Sequence, residues 1–238
     1  SRAGIVYPDI QYHFLPLAIS YDGKALAKGH GFQVHVGTKR SKSRGFVRLR
    51  DARPESLPRV RFNYMSHPDD WLEFRACIAH TREIFNQSAF APYRGAELAP
   101  GPGATEGAAL DDFMRRKLES AYHPCGTCRM GTDEKAVTTP DGLVRGVTAL
   151  RVVDASLMPQ ATAGDLNAPT LALAERMADL IRGRHLPEAE GAALLADAHW
   201  QTRQRSPEIT RDYAGARSTL AAALLANARG EDIAVAVT

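Results

Sequence analysis

Apolar and polar positions alternate in short runs over the first quarter of the chain: IQYHFLP at 10–16, FQVHV at 32–36, GFVRLR at 45–50 and RVRFNY at 59–64. Period two is the mark of a strand with one buried face. The runs are separated by turn-forming stretches, DGK at 22–24 and DARPESLP at 51–58, so the pattern predicts an antiparallel sheet. His13 and His35 fall inside the alternating runs and read as sheet histidines without a chemical role.

The period then changes. In HPDDWLEFRACIAHTREIFNQ (67–87) acidic residues occupy the first turn, and Leu72, Ala76, Ala79, Ile84 and Phe85 share a face at helical spacing. Cys77 reads as a buried thiol of that helix and His80 as a histidine on its face. A Pro/Gly-rich loop, APGPGATEG at 99–107, leads to a second helix, ALDDFMRRKLESAY. Beyond it come a turn (TTPDGLVRG, 138–146), a short apolar strand (LRVVDAS, 150–156), the loop LMPQATAGDLNAP, and a helix from about Thr170 to Arg182 carrying Leu173, Met177, Leu180 and Ile181. The alanine-rich stretch 184–238 predicts an extension with helix around 217–228 and disorder at its end.

A chain of 238 residues can bury a core without staples. Its 30 basic and 27 acidic residues leave a net charge of +3, too close to balance to indicate nucleic acid or an anionic membrane as partner. The one basic cluster, KRSKSRGFVRLR at 39–50, is broken by glycine and alternates with apolar residues, the pattern of a solvated loop entering a strand. Three cysteines are too few and odd in number for a secreted disulfide framework, so a reducing compartment fits better. No apolar run approaches the ~20 residues of a membrane span. The chain opens without an initiator methionine and enters strand-like sequence almost at once, which predicts processing or truncation upstream.

Candidate chemistry concentrates in AYHPCGTCRMG, 121–131. Cys125 and Cys128 have the CxxC spacing of a dithiol redox site or of half a zinc site. Zinc wants a second ligand pair at similar spacing, and a redox pair is expected to open a helix, which lowers a thiol's pKa; neither context is evident. His123, fixed by Pro124 and followed by the small residues Gly126 and Thr127, is a rigidly presented imidazole suited to proton transfer, or equally a structural histidine in a loop. Gly101-Pro102-Gly103 does not continue as GxGxxG and follows no apolar strand, so the chain offers no dinucleotide fingerprint.

HPCGTCRMG, RVVDASLMP and DLNAPTLALAERMADLI, in this order and at these separations, resemble the C-terminal half of the glucose-methanol-choline (GMC) oxidoreductases. PDIQYHFLPLAISYDG, HGFQVHVG, SRGFVRLR and FNYMSHPDDWLEFR extend the resemblance, which runs from about Tyr7 to Gly183 and more faintly to WQTRQR at 200–205. It implies an α+β fold: an antiparallel substrate-domain sheet covered by helices (1–120), an active-site motif returning to the FAD domain (121–183), and an extension (184–238).

The resemblance also implies FAD as cofactor and no metal. It makes His123 the general base or the hydrogen-bond partner of a developing alkoxide, with Asn167 at the second active-site position, as in the choline-oxidising branch. Asp154, Ala155, Asn167, Ala168 and Pro169 match segments that lie along the flavin. A small alcohol, choline, is the implied substrate. A membrane quinone is favoured over oxygen as acceptor, giving a cytoplasmic enzyme peripheral to the inner membrane. The family's GxGxxG half is absent, so the chain reads as a C-terminal fragment, inactive alone. Other readings stay open: a GMC enzyme for another alcohol, a zinc or thiol module, or a remnant whose tail at 206–238 reflects a changed frame.

Overall fold

The computed structural model describes residues 7–20, 24 and 29–184, and the backbone of 234–237. Strands β1 (Ile10–Leu15) and β2 (Gly31–Thr38) pair antiparallel, with His13 directly opposite His35. Antiparallel ribbon β3 (Phe46–Arg48) and β4 (Arg59–Arg61) stands apart as a second sheet. Helices α1 (Pro68–Phe85) and α2 (Gly107–Lys117) flank β5 (Glu97–Ala99); α3 (Asn167–Ile181) and β6 (Ala234–Val237) close the order.

The expected α+β fold is present, with two departures in the sheet. The alternating runs form two sheets rather than one, and the larger is mixed: its order is β1-β2-β6-β5, with β6 parallel to both neighbours. The tail expected to end in disorder thus supplies an inner strand, and the helix expected at 217–228 lies outside the described residues. The strand expected at 150–156 is not one. Arg151 makes a single bridge to Leu143, and Ala155–Leu157 forms a 3-10 turn, because the Asp154 carboxylate accepts from the Ser156 N–H and turns the chain.

Phe32 and Val34 of β2 meet Ile78 and Phe85 of α1 and Leu110, Phe113 and Met114 of α2 in the main core. The Phe32 and Phe85 rings stand edge-on with centroids 5.0 Å apart. The buried stripe of α1 differs from the expected one: Leu72 and Ile84 are exposed, while Asp70, Glu73, Cys77, Ile78, Thr81 and Phe85 are buried. Hydrophobic periodicity misplaced that face because polar residues occupy it with local partners. The Thr81 hydroxyl donates to the Cys77 carbonyl at 2.7 Å. The Asp70 carboxylate accepts from the Ser41 hydroxyl at 2.7 Å, the Lys42 N–H at 2.8 Å, the Ser43 N–H at 3.0 Å and the Ser43 hydroxyl. Cys77 is the buried thiol expected, and His80 lies on the exposed side, 3.5 Å from Glu83.

Among the ion pairs that join the helices to their surroundings, Arg75 binds Asp111 of α2 through two hydrogen bonds of 2.8 and 2.7 Å, and Arg82 meets Glu97 of β5 at 2.8 Å. The basic stretch at 39–50 runs as a loop into β3, as the alternation predicts. Both remaining helices differ from expectation at one end. α2 stops at Lys117 because Leu118 turns extended. α3 starts at Asn167, three residues early: Pro169 sits in the first turn, where a missing N–H costs no helical bond.

Candidate active site

Three stretches far apart in sequence converge. The backbone N–H of Cys128 donates to the Ser156 carbonyl at 3.0 Å and that of Met130 to the Leu157 carbonyl at 2.8 Å, laying the 126–130 segment along 156–158. Gly126 has φ +88, and a Cβ there would stand 3.3 Å from the Met158 carbonyl, so glycine is what allows this approach. Leu157 and Met177 are fully buried beneath the loops, tying α3 to them; Gly142, at φ +75, lies over Met177.

The third stretch reaches His123 directly. Asp165 Oδ2 is 3.6 Å from His123 Nε2, an ion-pair distance longer than a hydrogen bond. Asp165 is placed by its own turn: Oδ1 accepts from the Asn167 N–H at 2.9 Å, and the Asp165 carbonyl accepts from the Thr162 hydroxyl at 3.2 Å. The Asn167 N–H, and after it the nearby charges of His123, Lys39 and His13, hold this carboxyl below its ordinary value against the opposing effect of burial. Asp165 is therefore an anion beside His123. In the sequence Asp165 is only an Asp two residues before a helix start, which an Asx turn explains equally well.

Residues directly opposite across an antiparallel ladder share a face, so His13 and His35 stand together on the side of β1 and β2 away from Phe32 and Val34, and His13 lies near enough to Asp165 to act on its carboxyl.

Asp154 and Ala155 sit at the head of the 3-10 turn, and Asn167, Ala168 and Pro169 are the first turn of α3. Asn167 and Ala168 are exposed, and the N-cap Leu166 makes no side-chain hydrogen bond to that turn. Asp165 already takes the Asn167 N–H, but the exposed Asn167 and Ala168 leave the rest of the positive end of α3 accessible, so these residues fit a flavin edge.

Cys125 and Cys128 are free thiols in a loop, not at a helix start. Burial pushes the Cys125 thiol up, only partly countered by Arg44, the reverse of what a reactive thiolate needs. Among the described residues no group of three His, Cys, Asp or Glu side chains is placed to hold a metal, and no helix is long and apolar enough to cross a membrane.

The family model described as GMC oxidoreductase matches residues 41–174. An oxygen-dependent choline dehydrogenase of Rhizobium rhizogenes is 57% identical over 207 residues, and one of Brucella ovis is 52% identical over 207 residues. Each alignment takes in 86% of this chain, which spans 38% of the relatives' length. The crystal structure of pyridoxine 4-oxidase from Mesorbium loti is similar with a TM-score of 0.66 and 33% identity, over 75% of this chain and 35% of that one. The family depends on FAD. On the match over 41–174, the chain belongs to the GMC oxidoreductase family.

Proposed function

We propose that the chain is the C-terminal part of a FAD-dependent oxidoreductase that converts choline to betaine aldehyde. The observation carrying this reading is the His123–Asp165 pair at the open end of α3, together with the choline dehydrogenases to which the chain is similar. Residues 1–120 form the substrate-binding part, 121–183 the active-site motif and return to the FAD domain, and 184–238 an extension. FAD, when bound, supplies the acceptor for the hydride that leaves the alcohol carbon.

The protein's own residues handle the proton and the position. His123 takes the hydroxyl proton as general base, or holds the developing alkoxide by a hydrogen bond. Charge that forms on the ring then lies beside the anionic Asp165, which offsets it. The Asn167 amide, one turn of chain from Asp165, orients the substrate oxygen without titrating. Asp154, Ala155, Asn167, Ala168 and Pro169 line the flavin, the last three by the positive end of α3.

The test uses the full-length flavoenzyme. In anaerobic stopped-flow, His123→Ala is expected to slow flavin reduction by choline by about 10²–10⁴-fold, the usual weight of a general base. Cys125→Ser combined with Cys128→Ser is expected to leave it within about twofold. The opposite pair of results, or stoichiometric zinc on metal analysis, sinks this assignment in favour of a thiol or zinc module.

The electron acceptor and location belong to the same proposal. Resemblance to the choline-oxidising branch favours a membrane quinone, whereas the similar choline dehydrogenases are named oxygen-dependent. Dioxygen is therefore taken as acceptor here, and the enzyme as cytoplasmic with peripheral attachment. Oxygen uptake with and without added quinone, and fractionation of intact cells, test both.

A further inference from the structure

Gln33 is 2% exposed, and both ends of its amide are engaged. Its Oε1 accepts from the Ile19 N–H at 2.9 Å, and its Nε2 lies 3.0 Å from His35 Nε2. A backbone N–H can only donate, so the amide orientation is settled: oxygen toward Ile19, NH₂ toward the ring. His35 Nε2 must then be an acceptor. A ring that accepts there is neutral, with its proton on Nδ1.

The partner across the ladder is His13, whose charge reaches Asp165 beside His123. We propose that Gln33 and His35 are positioning residues of the active site: the Gln33 amide holds the His35 ring as a neutral acceptor, and that ring sets the placement of His13, its partner across the ladder on the side of the sheet near Asp165. The proposal rests on the choline reading for its substrate consequence. Lys39, His13 and His123 are already basic groups around Asp165. A further cation at His35 would repel a cationic alcohol, and the locked ring avoids it.

From other elements His13 on β1 and Glu119, just past α2, act electrostatically on His35. Burial, first, and His13, second, favour the neutral ring, while Glu119 opposes them; the net direction is downward from the ordinary histidine value. This agrees with the hydrogen-bond geometry.

The experiment uses the full-length, flavin-loaded enzyme with ¹³C-labelled histidine, the His35 signal being identified by its loss in His35→Gln. Gln33→Leu is expected to raise the pH at which the His35 ring titrates by about half to one unit, the size of one lost hydrogen bond, and to displace the His13 signal. KM for choline is expected to rise several-fold as pH falls through that range. KM for 3,3-dimethylbutan-1-ol, the same shape without the charge, is expected to stay nearly level. His35→Gln, which presents an oxygen to the Gln33 amide and cannot titrate, is expected to remove the rise of the choline KM at low pH, whatever level the KM itself takes.

Identical His35 titration in wild type and Gln33→Leu overturns the proposal. So does an unmoved His13 signal, or an equal KM change for both alcohols. The ring titration needs no substrate. An enzyme that shows the shift yet does not oxidise choline refutes the choline reading and leaves the ring lock supported.

Discussion

Asp70 offers the most direct link between a buried polar residue and the site's shape. Its carboxylate, 1% exposed in the first turn of α1, gathers the 41–43 loop through the Ser41 and Ser43 hydroxyls and the Lys42 and Ser43 N–H groups. Arg44, next along that loop, lies close enough to Cys125 to act on its thiol, so the loop borders the active-site segment. Asp70→Ala removes the acceptor and leaves two backbone N–H donors to find water. At about 1–3 kcal/mol for each unsatisfied group, and with Lys42 exposed enough for water to reach it, the loss is expected at about 2–4 kcal/mol. The favourable placement near the helix N-terminus adds about 0.3–1 kcal/mol.

Urea unfolding of the full-length enzyme, followed by far-UV circular dichroism, measures this. Asp112→Ala is the control, since Asp112 pairs with Arg116 at 3.0 Å on the surface, where such pairs contribute about 0–1 kcal/mol. Burial alone would raise the Asp70 pKa, but the hydrogen bonds from Ser41, Ser43 and Lys42 outweigh it, and the value is lowered. The sign follows: the contribution is fully present above the ordinary carboxylate value and fades as pH falls through the lowered one. An Asp70→Ala enzyme no less stable than the Asp112→Ala control at pH 7 would refute this account.

Other expectations follow from the same geometry. Asp165→Asn removes the anion beside His123 while keeping an acceptor for the Asn167 N–H; choline turnover is expected to fall about tenfold, equivalent to about 1.4 kcal/mol, with an unchanged melting temperature. Cys125 should react slowly with iodoacetamide at pH 7 and faster only above the ordinary thiol range, since burial raises its pKa; rapid labelling at pH 7, read by mass spectrometry, counts against it. Gly142→Ala puts a Cβ 2.9 Å from the Val152 carbonyl at φ +75, whereas Gly146, at φ +77, has nothing within 4 Å. Gly146→Ala is expected to cost about 1–2 kcal/mol from backbone conformation alone and Gly142→Ala more, by comparison of unfolding midpoints.

Part of the candidate site is marked in the linear order of residues. HPCGT and the LNAPT stretch single out His123 and Asn167, and in the structure each has Asp165 as a neighbour. Asp165 itself was not legible, because an Asp before a helix is as well explained by local capping as by service to a distant imidazole. His13 and His35 were visible as strand residues, but period two says only that they share a side of the sheet with alternate neighbours. It does not say which side the helices cover.

Local pattern sufficed where the physics is local: β1 and β2 from alternation, α1 from its change of period and first-turn acids, the turn at 138–146 from its glycines. Tertiary structure decided what depends on partners distant in sequence. The face of α1 turned inward carries Asp70 and Thr81, which are buried at low cost because the 41–43 loop and a backbone carbonyl meet them. The strand Ala234–Val237 found its place between β2 and β5 because their backbone groups offered it hydrogen bonds, something no run of its own residues announces. Burial and pairing are properties of where the chain returns to itself, and that return brought Asp165 to within 3.6 Å of His123 and near enough to His13 for its charge to act.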